Sequence, residues 1–297
     1  MSTDPSEQTT PFLNKAESPR PASVEPLMFT VVRVQTFVGQ QVLTGATGFF
    51  FARDDRLYLV TSRHVLIDEP TQHFPDRLEI GLHLDAQDLT QATGFSMPLY
   101  DDGVGLWRQG IDSGGETDMA VLEIDRSALP DSTVLRAFDA SHLPTADRPI
   151  ALGTPLLVLG FPLGFHDTLH HMPVARHAVV ASPFGLRFQG EGYFLTDART
   201  HRGSSGAPVV MRCAPQPEQD DDTVLPWLLL GVHSGRLDMR TRDLQQDDAL
   251  GLNCVWYADM LLTLTEASDP RASFDAESNT QSNAESDAVS DAEPNPD

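Results

Sequence analysis

Between residues 27 and 268 the chain alternates short apolar runs with turn-forming residues. Residues 29–36 (FTVVRVQT) and 48–53 (GFFFAR) are rich in β-branched and aromatic side chains, which pack well on a pleated surface. Residues 57–61 (LYLVT) follow a turn at Asp54 and Asp55, and further runs occupy 78–83, 120–124 and 155–160. The pattern continues through 175–181, 193–196, 207–211, 227–233 and 252–256. Many short strands punctuated by turns predict an all-β sandwich or barrel. Residues 256–265 (WYADMLLTLT) have helical spacing and predict a terminal helix. No repeat of fixed period is present.

The segment 126–149 breaks this rhythm. Pro130, Pro144 and Pro149 stand among Ser, Asp and Thr without sustained alternation, so neither helix nor sheet is continuous there. We read it as a connector between two halves, 27–140 and 141–268. Residues 1–26 and 269–297 lack the apolar content to form a core and predict an N-terminal tail and an acidic C-terminal tail, both disordered.

The chain of 297 residues is long enough for one large domain or two small ones. Its formal charge of −23 argues against nucleic acid as a partner, because phosphate recognition needs clustered Lys and Arg. The N-terminus has no basic stretch followed by an apolar one, and no apolar run reaches the ~20 residues of a membrane span, so the expected location is cytoplasmic with no membrane partner. Cys213 and Cys254 are too few for a disulfide framework; they read as free thiols, with pairing open if the fold brings them together.

The candidate chemistry starts at GSSGAP, residues 203–208. A serine nucleophile needs an exposed turn with backbone N–H groups converging beside it, and flanking glycines permit that turn. In the register G-x-S-G the nucleophile is Ser205, with the N–H groups of Gly203 and Ser205 as oxyanion donors. By itself the motif is equally an ordinary surface turn. The G-x-S-x-G elbow of α/β-hydrolases does not fit, because Ala207 takes its last glycine and the candidate His and Asp precede the Ser. His64 follows the apolar run 57–61 and is the candidate base. Asp118, just ahead of the run 119–124, is the candidate orienting carboxylate. The order His64, Asp118, Ser205 is that of the chymotrypsin-type triad.

These segments resemble the chymotrypsin-like serine peptidase family, especially its bacterial trypsin-like and HtrA-type members. TSRHV is similar to the family's T-A-x-H, TDMAVL to its D-x-A-L/V-L, TDARTHRGSSGAPVV to its T-D-A…G-x-S-G-G-P stretch, and LLGVHSG to the strand beside the primary pocket. The resemblance covers roughly residues 28 to 265. It implies two six-stranded antiparallel β-barrels with a short C-terminal helix and a cleft between the barrels. His64 and Asp118 would come from the first barrel and Ser205 from the second. It also implies that Ser234 bonds the triad aspartate and that Gly235 and Arg236 pair with substrate as an added strand. Val65 stands where animal members have a disulfide cysteine, Ser204 where zymogens have an acidic residue, and Ala207 in place of a glycine, while Ser62 for Ala is a small change. Activation by a new N-terminus is therefore not expected.

Thr200 and His233 match positions that receive an acidic P1 side chain in glutamyl endopeptidases, with Arg199 and Arg236 adding positive charge. The expectation is cleavage after Glu, with Asp or Gln as neighbours in preference; a packed His233 and a small apolar pocket is the plainer reading. HDTLHH (166–171) contains no HExxH and is set aside as a metal site, and no phosphate-binding or dinucleotide fingerprint occurs. The expected protein is a serine endopeptidase acting on polypeptides without cofactor or metal, with no oligomeric state implied. The alternative is a catalytically quiet, protease-fold binding or scaffold module.

Overall fold

A computed structural model describes residues 24–213, 225–236 and 250–266. The acidic tail from 269 and all but the last three residues of the expected N-terminal tail lie outside them. Those three do not belong to a tail. Pro26–Thr30 forms a 3₁₀ turn, and Glu25 accepts a bond from Trp227 Nε1 at 3.2 Å.

The N-terminal half holds β1 (Val31–Val38), β2 (Gln41–Arg53), β3 (Arg56–Thr61), the one-turn helix α1 (Arg63–Leu66), β4 (Arg77–His83), β5 (Ala92–Pro98), a small hairpin of β6 (Tyr100–Asp101) and β7 (Val104–Gly105), β8 (Trp107–Asp112) and β9 (Gly115–Ile124). Seven of these strands form one antiparallel sheet in the order β5-β4-β1-β2-β3-β9-β8. This corrects the expected six-stranded barrel, since β5 and β8 end the sheet without bonding each other. The C-terminal half holds β10 (Pro155–Gly160), β11 (Val174–Val180), β12 (Tyr193–Ala198), β13 (Ala207–Arg212), β14 (Trp227–Arg236), β15 (Leu252–Tyr257) and α2 (Met260–Leu264). Its six strands close into a barrel ordered β10-β11-β12-β15-β14-β13. The expected helix at 256–265 is shorter. Trp256 is in register with Tyr193 and Val232, so the sheet ladder carries the chain to Tyr257 before α2 begins.

The runs GFFF, LYLV and MAVL are continuously apolar because both faces of these strands are buried. Phe50, Leu57, Leu59, Ala120 and Leu122 fill the interior of the first sheet. Their alternate neighbours Phe49, Phe51, Tyr58, Val60, Met119 and Val121 pack with Leu159, Phe161, Tyr193, Val210 and Trp256 of the other half. The period of two along a strand thus divides each run between one half's own core and a core shared by both. Among the described residues no helix is long and apolar enough to cross a membrane. Cys213 and Cys254 are not bonded to each other.

Candidate active site

Residues from both halves meet at one place. His64 sits in α1, directly after β3, and Asp118 lies across from it within β9. Asp118 is inside that strand rather than ahead of it, because β9 begins at Gly115. The carboxylate grips its partner twice. Oδ1 accepts from the His64 backbone N–H at 2.8 Å and Oδ2 accepts from Nδ1 at 2.6 Å. A carboxylate facing Nδ1 fixes the proton there and leaves the Nε2 lone pair outward. Nε2 is 2.9 Å from Ser205 Oγ.

Burial disfavours a charged imidazole, but the hydrogen bond and charge of Asp118 outweigh it, so the His64 pKa is raised above its ordinary value of 6.5. Asp118 shows the reverse: burial pushes its pKa up, and bonds from His64 and Ser234 more than offset this, leaving it lowered. Both shifts favour an ionised carboxylate beside an imidazole that is a stronger base than in water.

Ser205 lies on the turn between β12 and β13. Its hydroxyl is 2.9 Å from His64 Nε2 and 3.0 Å from the carbonyl of Ser234, so one proton faces two acceptors. Ser234 is the extra residue of a bulge in β14, where His233 pairs with Val255 and Gly235 already with Cys254. A bulge re-aims a side chain, and here it turns Ser234 Oγ onto Asp118 Oδ2, to which it donates.

The turn itself is held with its N–H groups outward. In a trans peptide the C=O and N–H point in opposite directions, so fixing the carbonyl fixes the donor. Leu163 N–H donates to Arg202 O at 2.5 Å, and Ala207 N–H to Ser204 O at 3.0 Å. The N–H groups on those same peptides belong to Gly203 and Ser205, and neither meets an acceptor among the described residues. Gly203 has φ +92°, and a Cβ there would lie 2.5 Å from Phe161 O, so only glycine fits. Two unsatisfied donors beside a hydroxyl bonded to an imidazole are what an oxyanion from acyl transfer requires.

Gly235 and Arg236 continue β14 past the end of its ladder with β13, whose last pair is Ala207 with His233. On that side the strand edge is open among the described residues, and β15 covers the other edge. Thr200 and His233 are both buried. Thr200 Oγ1 donates to Asn253 Oδ1 at 2.5 Å, while Asn253 Nδ2 donates to Ala198 O and Gly251 O. The proton expected for a P1 carboxylate is thereby committed to Asn253, a residue the sequence did not single out. Arg199 is exposed at the end of β12. The Arg236 side chain lies outside the described residues.

Leu163 was equally absent from the expected site, because its contribution is a backbone N–H in a loop. Cys254 is no rival nucleophile: burial, foremost, pushes its pKa up to about 12, so it stays a thiol at neutral pH. His170 bonds Asp167 and His166 bonds Gly164 O, and no group of His, Cys, Asp and Glu among the described residues is arranged to hold a metal ion.

Residues 46–213 match the family described as a trypsin-like peptidase domain. No curated protein matches the sequence. Among solved structures the chain is similar to the serine endoprotease from Yersinia pestis, at 17% identity and a TM-score of 0.45, with 80% of this chain and 61% of that one covered. It is also similar to Rv3671c from M. tuberculosis H37Rv in an inactive mutant form, at 18% identity and a TM-score of 0.42, covering 84% of this chain and 93% of that one. The chain therefore spans less than two thirds of the length of the Yersinia protein.

Proposed function

Since the chain belongs to the trypsin-like peptidase domain family, we propose that it is a serine endopeptidase working through His64, Asp118 and Ser205. The observation that carries this reading is the unbroken line of bonds from Asp118 Oδ2 through the imidazole to Ser205 Oγ, at 2.6 and 2.9 Å. Ser205 attacks the scissile carbonyl, and His64 Nε2 takes its proton. Asp118 holds the ring and stabilises the imidazolium that results. The N–H groups of Gly203 and Ser205 receive the oxyanion. His64 then delivers the proton to the leaving amine, and water repeats the cycle on the acyl-enzyme. No step needs a metal or cofactor.

The two halves, 27–140 and 141–268, act as separate suppliers of the base and of the nucleophile. Substrate lies along the open edge of residues 234–236 as an added strand. Thr200 and His233 are taken as the primary pocket on the strength of the family resemblance. The P1 reading from that resemblance is an acidic side chain, glutamate ahead of aspartate or glutamine. The test is hydrolysis of a quenched fluorescent peptide library by the wild type and by S205A. Cleavage abolished in S205A supports the reading, and equal cleavage by both refutes it.

A further inference from the structure

The turn that carries Ser205 has four successive carbonyls, and each has a named donor. Arg202 O and Ser204 O are held from within the C-terminal half, by Leu163 and Ala207. The other two are held by one residue of the opposite half. Thr47 Oγ1 donates to Gly203 O at 2.7 Å, and the Thr47 N–H donates to Ser205 O at 3.0 Å.

Thr47 lies in β2 and is fully buried. Its remaining polar capacity is also used: Oγ1 accepts from the Phe161 N–H at 3.1 Å, and its carbonyl accepts from Thr61 Oγ1 at 2.8 Å. Phe161 begins the loop whose Leu163 fixes Arg202 O, so the same hydroxyl joins both segments that shape the oxyanion donors.

The neighbouring backbone lies close. A Cβ on Gly160 would come within 2.6 Å of Thr47 Oγ1, and one on Gly206 within 2.1 Å of Thr47 O. The position calls for one small group that donates and accepts together, which a hydroxyl does.

We infer that Thr47 is a positioning residue for the oxyanion donors, through which the N-terminal half keeps the Gly203 and Ser205 N–H groups facing the reacting carbonyl. This rests on the peptidase reading above. Without the hydroxyl, Gly203 O and the Phe161 N–H are buried without partners, and the 203–204 peptide turns to find one. The donors then leave their aim. Because they meet a full negative charge only in the transition state, the loss falls on kcat and not on substrate binding.

The experiment compares wild type, T47V, T47S and T47C on the best-cleaved peptide. It also measures affinity for a peptide boronic acid, which forms the tetrahedral adduct, and for the cleaved product peptide, which does not. T47V should lower kcat roughly 10- to 100-fold with KM within about threefold. Boronate affinity should fall by a similar factor and product affinity should hold. T47S restores the hydroxyl and should return both kcat and boronate affinity to near wild type. T47C, with its weak donor, should lie between, and it carries the test if T47V does not fold. Wild-type kcat and boronate affinity in T47V, or in T47C if that is the variant that folds, would overturn the inference. So would an equal loss in T47S. A wild-type enzyme that neither cleaves peptide nor reacts with a fluorophosphonate would instead overturn the peptidase reading beneath it.

Discussion

Ser234 Oγ donates to the same oxygen of Asp118, Oδ2, that receives the 2.6 Å bond from His64. The carboxylate is thus pinned from the C-terminal half while it orients a histidine of the N-terminal half. S234A removes this donor but leaves the Ser234 carbonyl in place for Ser205. Hydrogen bonds to charged groups contribute about 1.5–3 kcal/mol, so kcat/KM should fall on the order of 10- to 100-fold. That is far less than the roughly 10⁴-fold or greater loss expected of S205A, H64A or D118N. Steady-state kinetics on the four variants gives the ranking.

The pH profile follows from the two shifts. The proposed mechanism needs neutral His64, whose pKa in the fold is raised above 6.5. Activity should therefore fall as the pH drops through a midpoint above 6.5. D118N removes the main contacts that raise the value and leaves burial, which lowers it, opposed only by the charge of Asp68, so the midpoint should move down while the plateau drops. Rate profiles of kcat/KM for the two proteins measure both midpoints.

Peptides varied only at P1 test the pocket. The pocket reading predicts glutamate over alanine or valine, by roughly tenfold or more. T200V should narrow the difference. A preference for Ala or Val at P1 would place the selectivity elsewhere.

The C-terminal helix is secured from the other half. Arg53 donates to Leu262 O and Arg108 to Leu264 O and Glu266 O, serving carbonyls that a helix end cannot pair itself. Replacing both by Met should cost about 2 kcal/mol and lower the Tm by roughly 4–8 °C. Turnover at 25 °C should change little. Differential scanning calorimetry with a parallel activity assay reads both.

Much of the sheet was legible because apolar strands with two buried faces leave unbroken runs such as GFFF and LYLV. The strands at 92–98 and 107–112 were not, for a physical reason. ATGFSMP and WRQGID form the two ends of the first sheet, are mostly half-buried or exposed, and carry glycine and polar residues in place of a run. His64, Asp118 and Ser205 were legible because their chemistry resides in side chains set in recognisable flanks. Leu163 contributes only a backbone N–H, which no residue type signals. Thr47 reads as one more β-branched strand residue, and nothing in GATGFF reveals that its hydroxyl crosses to the other half. Asn253 likewise looks like any polar position in LNCVWY until its amide is seen bridging Thr200 and two carbonyls.

The most direct measurement is the mass of the protein after reaction with a fluorophosphonate, followed by peptide mapping. The relay from Asp118 to Ser205 predicts one equivalent of label on Ser205, with the rate falling by several orders of magnitude in H64A. Folded protein that takes no label, or takes it on a different residue, would contradict the proposed triad.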